Sequence, residues 1–76
     1  MTLKDLSPGQ SGRITALHSS GELRYRMLDM GLLPGTLVTV CKVSPFGDPI
    51  ELKLRGYRLA LRAADAKSIE IEVKSV

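Results

Sequence analysis

The sequence predicts a mainly β domain: a small, partly closed barrel of about five strands with one short α-helix inserted after the first strand. Three observations predict it. Apolar and polar residues alternate with a period of two in several short segments, most regularly in Ile50-Glu51-Leu52-Lys53-Leu54-Arg55. Glycine and proline punctuate the chain between these segments. One stretch departs from the alternation and takes helical spacing, with Leu23, Met27 and Met30 at i, i+4 and i+7. With 76 residues and no repeat, low-complexity run or linker, the chain reads as a single domain over 1–76. Closing the sheet suits a chain of this size, because it hides edges that would otherwise pair between molecules.

Each element follows in order. Leu3 and Leu6 precede Ser7-Pro8-Gly9, a turn whose residues fix or free φ. Gly12 to His18 alternates as a first strand, with Ile14, Ala16 and His18 expected on one face and Arg13, Thr15 and Leu17 on the other. Ser19-Ser20-Gly21-Glu22 fits a capping box, with Ser19 as cap and Glu22 reaching back. The helix then runs to Met30, and Gly31 stops it by accepting the left-handed conformation. After Leu32-Leu33-Pro34-Gly35, the β-branched stretch from Thr36 to Val43 forms the second strand, with Val38 and Val40 on one face. Pro45-Phe46-Gly47-Asp48-Pro49 is a loop, and Ile50 to Arg55 is the third strand. Gly56 sits where a tight hairpin turns, so Leu59 and Leu61 continue the apolar face while Arg58 and Arg62 point outward. Ala63 to Ala66 allows one helical turn. Ile69, Ile71 and Val73 close the chain as a fifth strand, with Glu70, Glu72 and Lys74 outward.

Composition narrows the function. Hydrophobic residues are 43% of the chain and charged ones 25%, too apolar for a disordered segment and ordinary for a globular one. A core this small supplies a few kcal/mol, which argues against a self-sufficient enzyme cleft and favours a module that binds something larger. Apolar runs reach two or three residues, where a membrane span needs roughly 20. No signal peptide opens the sequence, and the lone thiol, Cys41, cannot close an intramolecular disulfide, so a cytoplasmic location is expected. The formal charge is +3. It is concentrated between Lys42 and Arg62, where Lys42, Lys53, Arg55, Arg58 and Arg62 face only Asp48 and Glu51. Such a face attracts acidic partners, although any soluble sheet displays charge outward.

The residues of reaction chemistry are sparse. A metal site needs several N, O or S ligands together, and His18 and Cys41 stand alone on different strands. Asp48 and Glu51 could hold a cation only adventitiously. No nucleophile elbow, positioned base or phosphate-binding loop is present, so no cofactor, small-molecule substrate or enzymatic activity is expected. Single-strand nucleic-acid binders interleave aromatics with a basic groove. Tyr25, Phe46 and Tyr57 are not interleaved with Arg58 and Arg62 in that way, so nucleic acid is not the expected partner.

Arg26-Met27-Leu28-Asp29-Met30-Gly31-Leu32-Leu33-Pro34-Gly35 resembles the R-[LM]-x-x-[LM]-G-[LM]-x-P-G signature of the ferrous iron transport protein A (FeoA) family. Pro45 to Ile50 is similar to that family's P-x-G-[DG]-P segment. Leu3 to Gly9, Arg13-Ile14, Leu59 to Ala66 and Ile69 to Val73 also match in order. The resemblance implies an SH3-like β-barrel with a helix after the first strand. It also implies a small cytoplasmic bacterial accessory protein of a FeoB-type membrane ferrous iron transporter, working at the inner face of the membrane through the transporter's cytosolic, GTPase-bearing region. A related barrel forms the C-terminal domain of iron-dependent repressors, which makes a regulatory module of that kind the alternative. Weak self-association is compatible with the composition.

The partner surface expected from the residues is the helix and the loop beside it: Arg24, Tyr25, Arg26, Leu33, Phe46 and Asp48. Arg and Tyr are enriched at interface hot spots, and a large aromatic among Gly and Pro residues is hard to bury in so small a core. Three structural uses compete with this. Arg26 can lay its stem on the barrel and bond loop carbonyls, Phe46 can plug one end of the barrel, and Met27 and Met30 can fill the core. An arginine finger offered to the GTPase by Arg24 or Arg26 competes with the same structural roles.

Overall fold

Strand pairing in the computed structural model, which describes residues 1–74, follows the alternation of the chain. β1 (Ser11–Leu17) leads into α1 (Gly21–Asp29), followed by β2 (Leu37–Val43), β3 (Ile50–Leu54), β4 (Tyr57–Leu61), a single turn α2 (Ala63–Ala66) and β5 (Ile69–Val73). All pairings are antiparallel, in the order β4-β3-β2-β1-β5. The sheet curls around its apolar side chains, and β4 and β5 lie at the two ends of the strand order. Among the described residues no helix is long and apolar enough to cross a membrane.

The core is built as alternation dictates. Ile50, Leu52 and Leu54 from β3 and Val38 and Val40 from β2 are buried with Ile14, Ile69 and Ile71. Met27 on α1 and Leu32 just after it cover one end. Leu23 and Met30 pack half-buried beside them, so the helical stripe points inward. A 3-10 turn at Leu3–Asp5 adds Leu3 to the core, and the Asp5 carboxylate accepts the Thr2 N–H at 2.9 Å. Alternation carries no trace of this turn, because it is held by one residue pair. The β3–β4 hairpin closes on Arg55-Gly56, both at positive φ (48° and 84°), the geometry a two-residue hairpin loop requires.

Two expectations are corrected. Ile14 pairs with Ile71 and Ala16 with Glu70, so Thr15 is an extra residue, a β-bulge. The bulge shifts the faces, and Leu17 enters the core while His18 is exposed. A second bulge at Cys41 shifts β2 against β3 in the same way. The helix cap also differs. Ser20 is the N-cap and makes no side-chain cap bond, while the Ser19 hydroxyl points to the Met27 sulfur at 3.3 Å. The Ser19 hydroxyl is thus turned to a buried methionine rather than to a helix N–H.

Register separates the two ends of the sheet. Leu37 lies opposite Arg13 and Thr39 opposite Ser11, and β2 continues to Val43 past the start of β1. The 44–49 loop therefore lies at the end of the sheet remote from α1, which follows Leu17 at the other end of β1.

Candidate functional site

α1 and the β3–β4 hairpin meet at one end of the barrel, and their contact is built from a few side chains. Gly31 takes φ +91° to end the helix, and its open side is filled by the Tyr57 ring. A Cβ at Gly31 would stand 2.8 Å from the Tyr57 hydroxyl oxygen and 3.7 Å from Leu54 Cδ1. Beneath it lies Thr36, a buried polar residue whose hydroxyl donates to the Gly31 carbonyl at 3.3 Å and accepts from Arg55 Nη2 at 3.3 Å. The chain Arg55–Thr36–Gly31 thus ties the hairpin to the helix end and satisfies the buried hydroxyl. Arg13 Nη1 donates to the neighbouring Gly35 carbonyl at 2.7 Å.

Against this frame the expected contact residues divide. Arg24, Tyr25 and Arg26 share the exposed side of α1, and Tyr25 is 69% exposed. Arg24, rather than Arg26, is the arginine folded back, with its Nη1 donating to the Leu17 carbonyl at 3.2 Å. Arg26 is exposed. Leu33 is half-buried after the helix and joins the same end. Phe46 and Asp48 do not join it, since their loop lies at the remote end of the sheet. Phe46 is 96% exposed and so does not plug the barrel. Asp48 Oδ1 accepts the Ala63 N–H at 2.7 Å, fastening the loop to the first turn of α2.

This contrast gives a prediction. Phe46→Ala leaves unfolding free energy within about 0.5 kcal/mol of the parent, because the side chain covers almost nothing. Asp48→Ala costs about 1 kcal/mol, the usual loss of a hydrogen bond to a helix-start N–H. Urea unfolding of both variants checks the order, and the reverse order would contradict the placement of the loop.

Sequence reasoning passed over Tyr57 and Arg55 as site residues. Gly56 marked the turn, but nothing local reports that Tyr57 meets Gly31, 26 positions earlier in the chain.

Electrostatics at the surface is mild. His18 Nε2 and Glu70 Oε2 are 2.9 Å apart, with both side chains largely in solvent. The hydrogen bond from His18, and then its charge, hold the Glu70 carboxyl below the ordinary carboxylate value of 4.5. A depressed carboxylate stabilises the fold above its unfolded value, and that contribution disappears as pH falls through the lowered folded value. Exposure keeps the effect on stability small. His18→Ala should return the Glu70 titration, followed by carboxyl-carbon NMR, to the ordinary range. An unmoved midpoint would contradict the pair. Among the described residues no three His, Cys, Asp or Glu side chains come together as a metal site. Cys41 is half-buried at its bulge.

Comparison with known proteins adds to this geometry. The FeoA domain family matches residues 1–73. An Fe(2+) transport protein A/Fe(2+) transporter FeoB fusion protein from Porphyromonas gingivalis is 35% identical over 75 residues, which are 99% of this chain and 9% of the fusion protein. The solution structure of iron(II) transport protein A from Clostridium thermocellum superposes with a TM-score of 0.92 at 41% identity, covering 96% of this chain and 45% of that one. A crystal structure of Stenotrophomonas maltophilia FeoA complexed with zinc, described as a procaryotic SH3 domain protein, superposes at 0.82 with 25% identity, over 95% and 89% of the two chains. A manganese-dependent transcriptional repressor shares the fold alone, at 14% identity and a TM-score of 0.89, with 97% of this chain lying on 36% of that one. The SH3-like fold expected from the sequence is thereby shared on both sides.

Proposed function

The chain belongs to the FeoA domain family, and from that premise we propose that it is a cytoplasmic, non-enzymatic accessory domain of a FeoB-type ferrous iron transporter, acting by contact with the transporter's cytosolic region. One observation carries the reading. In the P. gingivalis relative, a segment alignable with nearly all of this chain belongs to the same polypeptide as a FeoB transporter. Covalent linkage holds two modules at high effective concentration, an arrangement that serves modules which act on each other.

The contact surface we assign is the exposed side of α1 with its following turn: Tyr25 as the aromatic anchor, Arg26 as an exposed cation, and Arg24 and Leu33 beside them. Tyr25 combines a large rigid area with little entropy to lose on docking, while Arg24 is partly committed to the Leu17 carbonyl. Phe46, remote from this side, is a separate anchor for a second contact.

Binding of the purified chain to a FeoB-type transporter in nanodiscs tests this at two salt concentrations and with the nucleotide varied. Saturable binding is expected, weakened about tenfold or more by Tyr25→Ala, the usual loss at an aromatic hot spot. No binding at micromolar concentrations would remove the reading.

A further inference from the structure

We propose that the outer edge of β4 accepts an extended segment of the transporter's cytosolic region as a sixth strand, and that this segment alternates apolar with acidic residues. The inference rests on the accessory reading above and adds where and how the partner is gripped.

The two end strands of the sheet are treated differently. β5 is partly covered by the start of the chain, because Thr2 bridges Glu70 and the Ile71 N–H donates to the Met1 carbonyl at 2.9 Å. Among the described residues no strand lies beyond β4. An uncovered edge offers a row of backbone donors and acceptors to another extended chain. The two-residue Arg55-Gly56 loop sets which groups these are. Leu54 and Tyr57 flank it as a hydrogen-bonded pair, and the register repeats this at Leu52–Leu59 and Ile50–Leu61. Arg58 and Ala60 therefore direct their N–H and C=O groups away from β3.

Side chains along β4 describe the missing neighbour. Ile50, Leu52 and Leu54 on β3 are buried; of their β4 partners Leu61 is buried as well, while Leu59 is half-buried and Tyr57 is 43% exposed. The core layer is closed at Leu61 and opens towards the hairpin end of β4, where a strand with apolar residues at alternate positions would cover Leu59 and Tyr57. On the opposite face Arg58 stands across from Lys53, and residues 54–62 contain Arg55, Arg58 and Arg62 with no carboxylate. Glu51 answers Arg58 in part, at 3.3 Å. A second copy would bring the same arginines to the edge, so like charge opposes self-pairing and an acidic segment is favoured. The edge is also continuous with the α1 surface. Tyr57 opens β4 and fills the space beside Gly31, and the Arg55–Thr36–Gly31 hydrogen bonds hold the two together.

Amide hydrogen exchange of the intact chain, alone and saturated with the transporter in nanodiscs, tests the proposal. The Arg58 and Ala60 amides should slow by about a hundredfold in the complex. Unchanged rates at both positions overturn the edge while leaving the accessory reading standing. Ala60→Pro removes one outward N–H at a position where an edge strand tolerates proline, so thermal stability should hold and binding should fall about tenfold or more. Parent-like binding by a folded Ala60→Pro protein overturns the edge as well. If that variant does not fold, the exchange rates of the parent chain decide. Arg58→Glu should weaken binding further at low salt than at high salt, and tighter binding would overturn the acidic occupant. Concentration-dependent dimers that protect Arg58 and Ala60 without transporter would assign the edge to a second copy and overturn the choice of partner. Failure of the parent chain to bind the transporter removes both readings together.

Discussion

Leu52→Ala should lower the free energy of unfolding by about 3 kcal/mol, the midrange for emptying a closed aliphatic site. Leu52 is fully buried at the centre of β3, between Val40 on β2 and Leu59 on β4 in register. Those neighbours belong to a sheet whose curvature is held by every strand, so they cannot collapse into the space left behind. A domain of this length has about 4–11 kcal/mol of stability at the usual value per residue, so the substitution removes a large share of it. The midpoint of thermal unfolding should fall by more than about 10 °C. Leu59→Ala, half-buried one strand further out, should cost roughly half as much. Chemical denaturation of both variants checks the ratio. Equal losses would mean that the β4 side of the core is as closed as the centre, which would also weaken the case for an open edge.

Gly31→Ala should cost about 2 kcal/mol, and for two separable reasons. At φ +91° the backbone lies in a region that only glycine adopts without strain. The new Cβ would also stand 2.8 Å from the Tyr57 hydroxyl oxygen, closer than carbon and oxygen approach, whereas the ring carbon behind it is 3.9 Å away. Tyr57→Phe removes that oxygen and relieves the steric part only. In the double variant the two losses should therefore sum to less than their separate values, with the conformational part remaining. Strictly additive losses would mean that Tyr57 does not pack on Gly31. Because Tyr57 opens β4 and touches the end of α1, the single Gly31→Ala variant should also weaken the proposed transporter contact beyond what its stability loss explains.

The legible part of this fold is the part that repeats locally. Ile50 to Leu54 alternates without interruption, and the structure buries every second residue just as the pattern requires, Ile50, Leu52 and Leu54. Gly56 and Gly31 were readable because a hairpin loop and a helix stop each need positive φ, which few residues other than glycine supply cheaply. Arg55, by contrast, was expected as the last residue of the third strand and takes φ 48° in the loop. The helical stripe of Leu23, Met27 and Met30 was readable for the same local reason. The candidate site was only half legible. Spacing kept Arg24 off the stripe and allowed only one of Arg24 and Arg26 to face fully outward. It favoured Arg26 as the arginine folded back, whereas the position of the Leu17 carbonyl gives that role to Arg24 and leaves Arg26 exposed. Phe46 looked adjacent to the helix only because sequence distance hides strand register.

Within the chain, hydrophobic period and turn chemistry decided which segments are strands, where the helix stops and which residues are available for the core. These are properties of neighbouring residues, and each follows from backbone sterics and the direction of side chains. Tertiary packing decided the rest. The bulges at Thr15 and Cys41 are features of the pairing of β1 with β5 and of β2 with β3, which no strand expresses alone, and the first brings Leu17 into the core. Ser20 stands at the N-cap of α1 without a side-chain cap bond, and the Ser19 hydroxyl meets the buried Met27 sulfur. The end of the barrel where Gly31, Thr36, Arg55 and Tyr57 meet is assembled from distant segments, and so is the uncovered edge of β4. Contacts of that range depend on the order and register of all five strands, so they are set only when the sheet closes around its core.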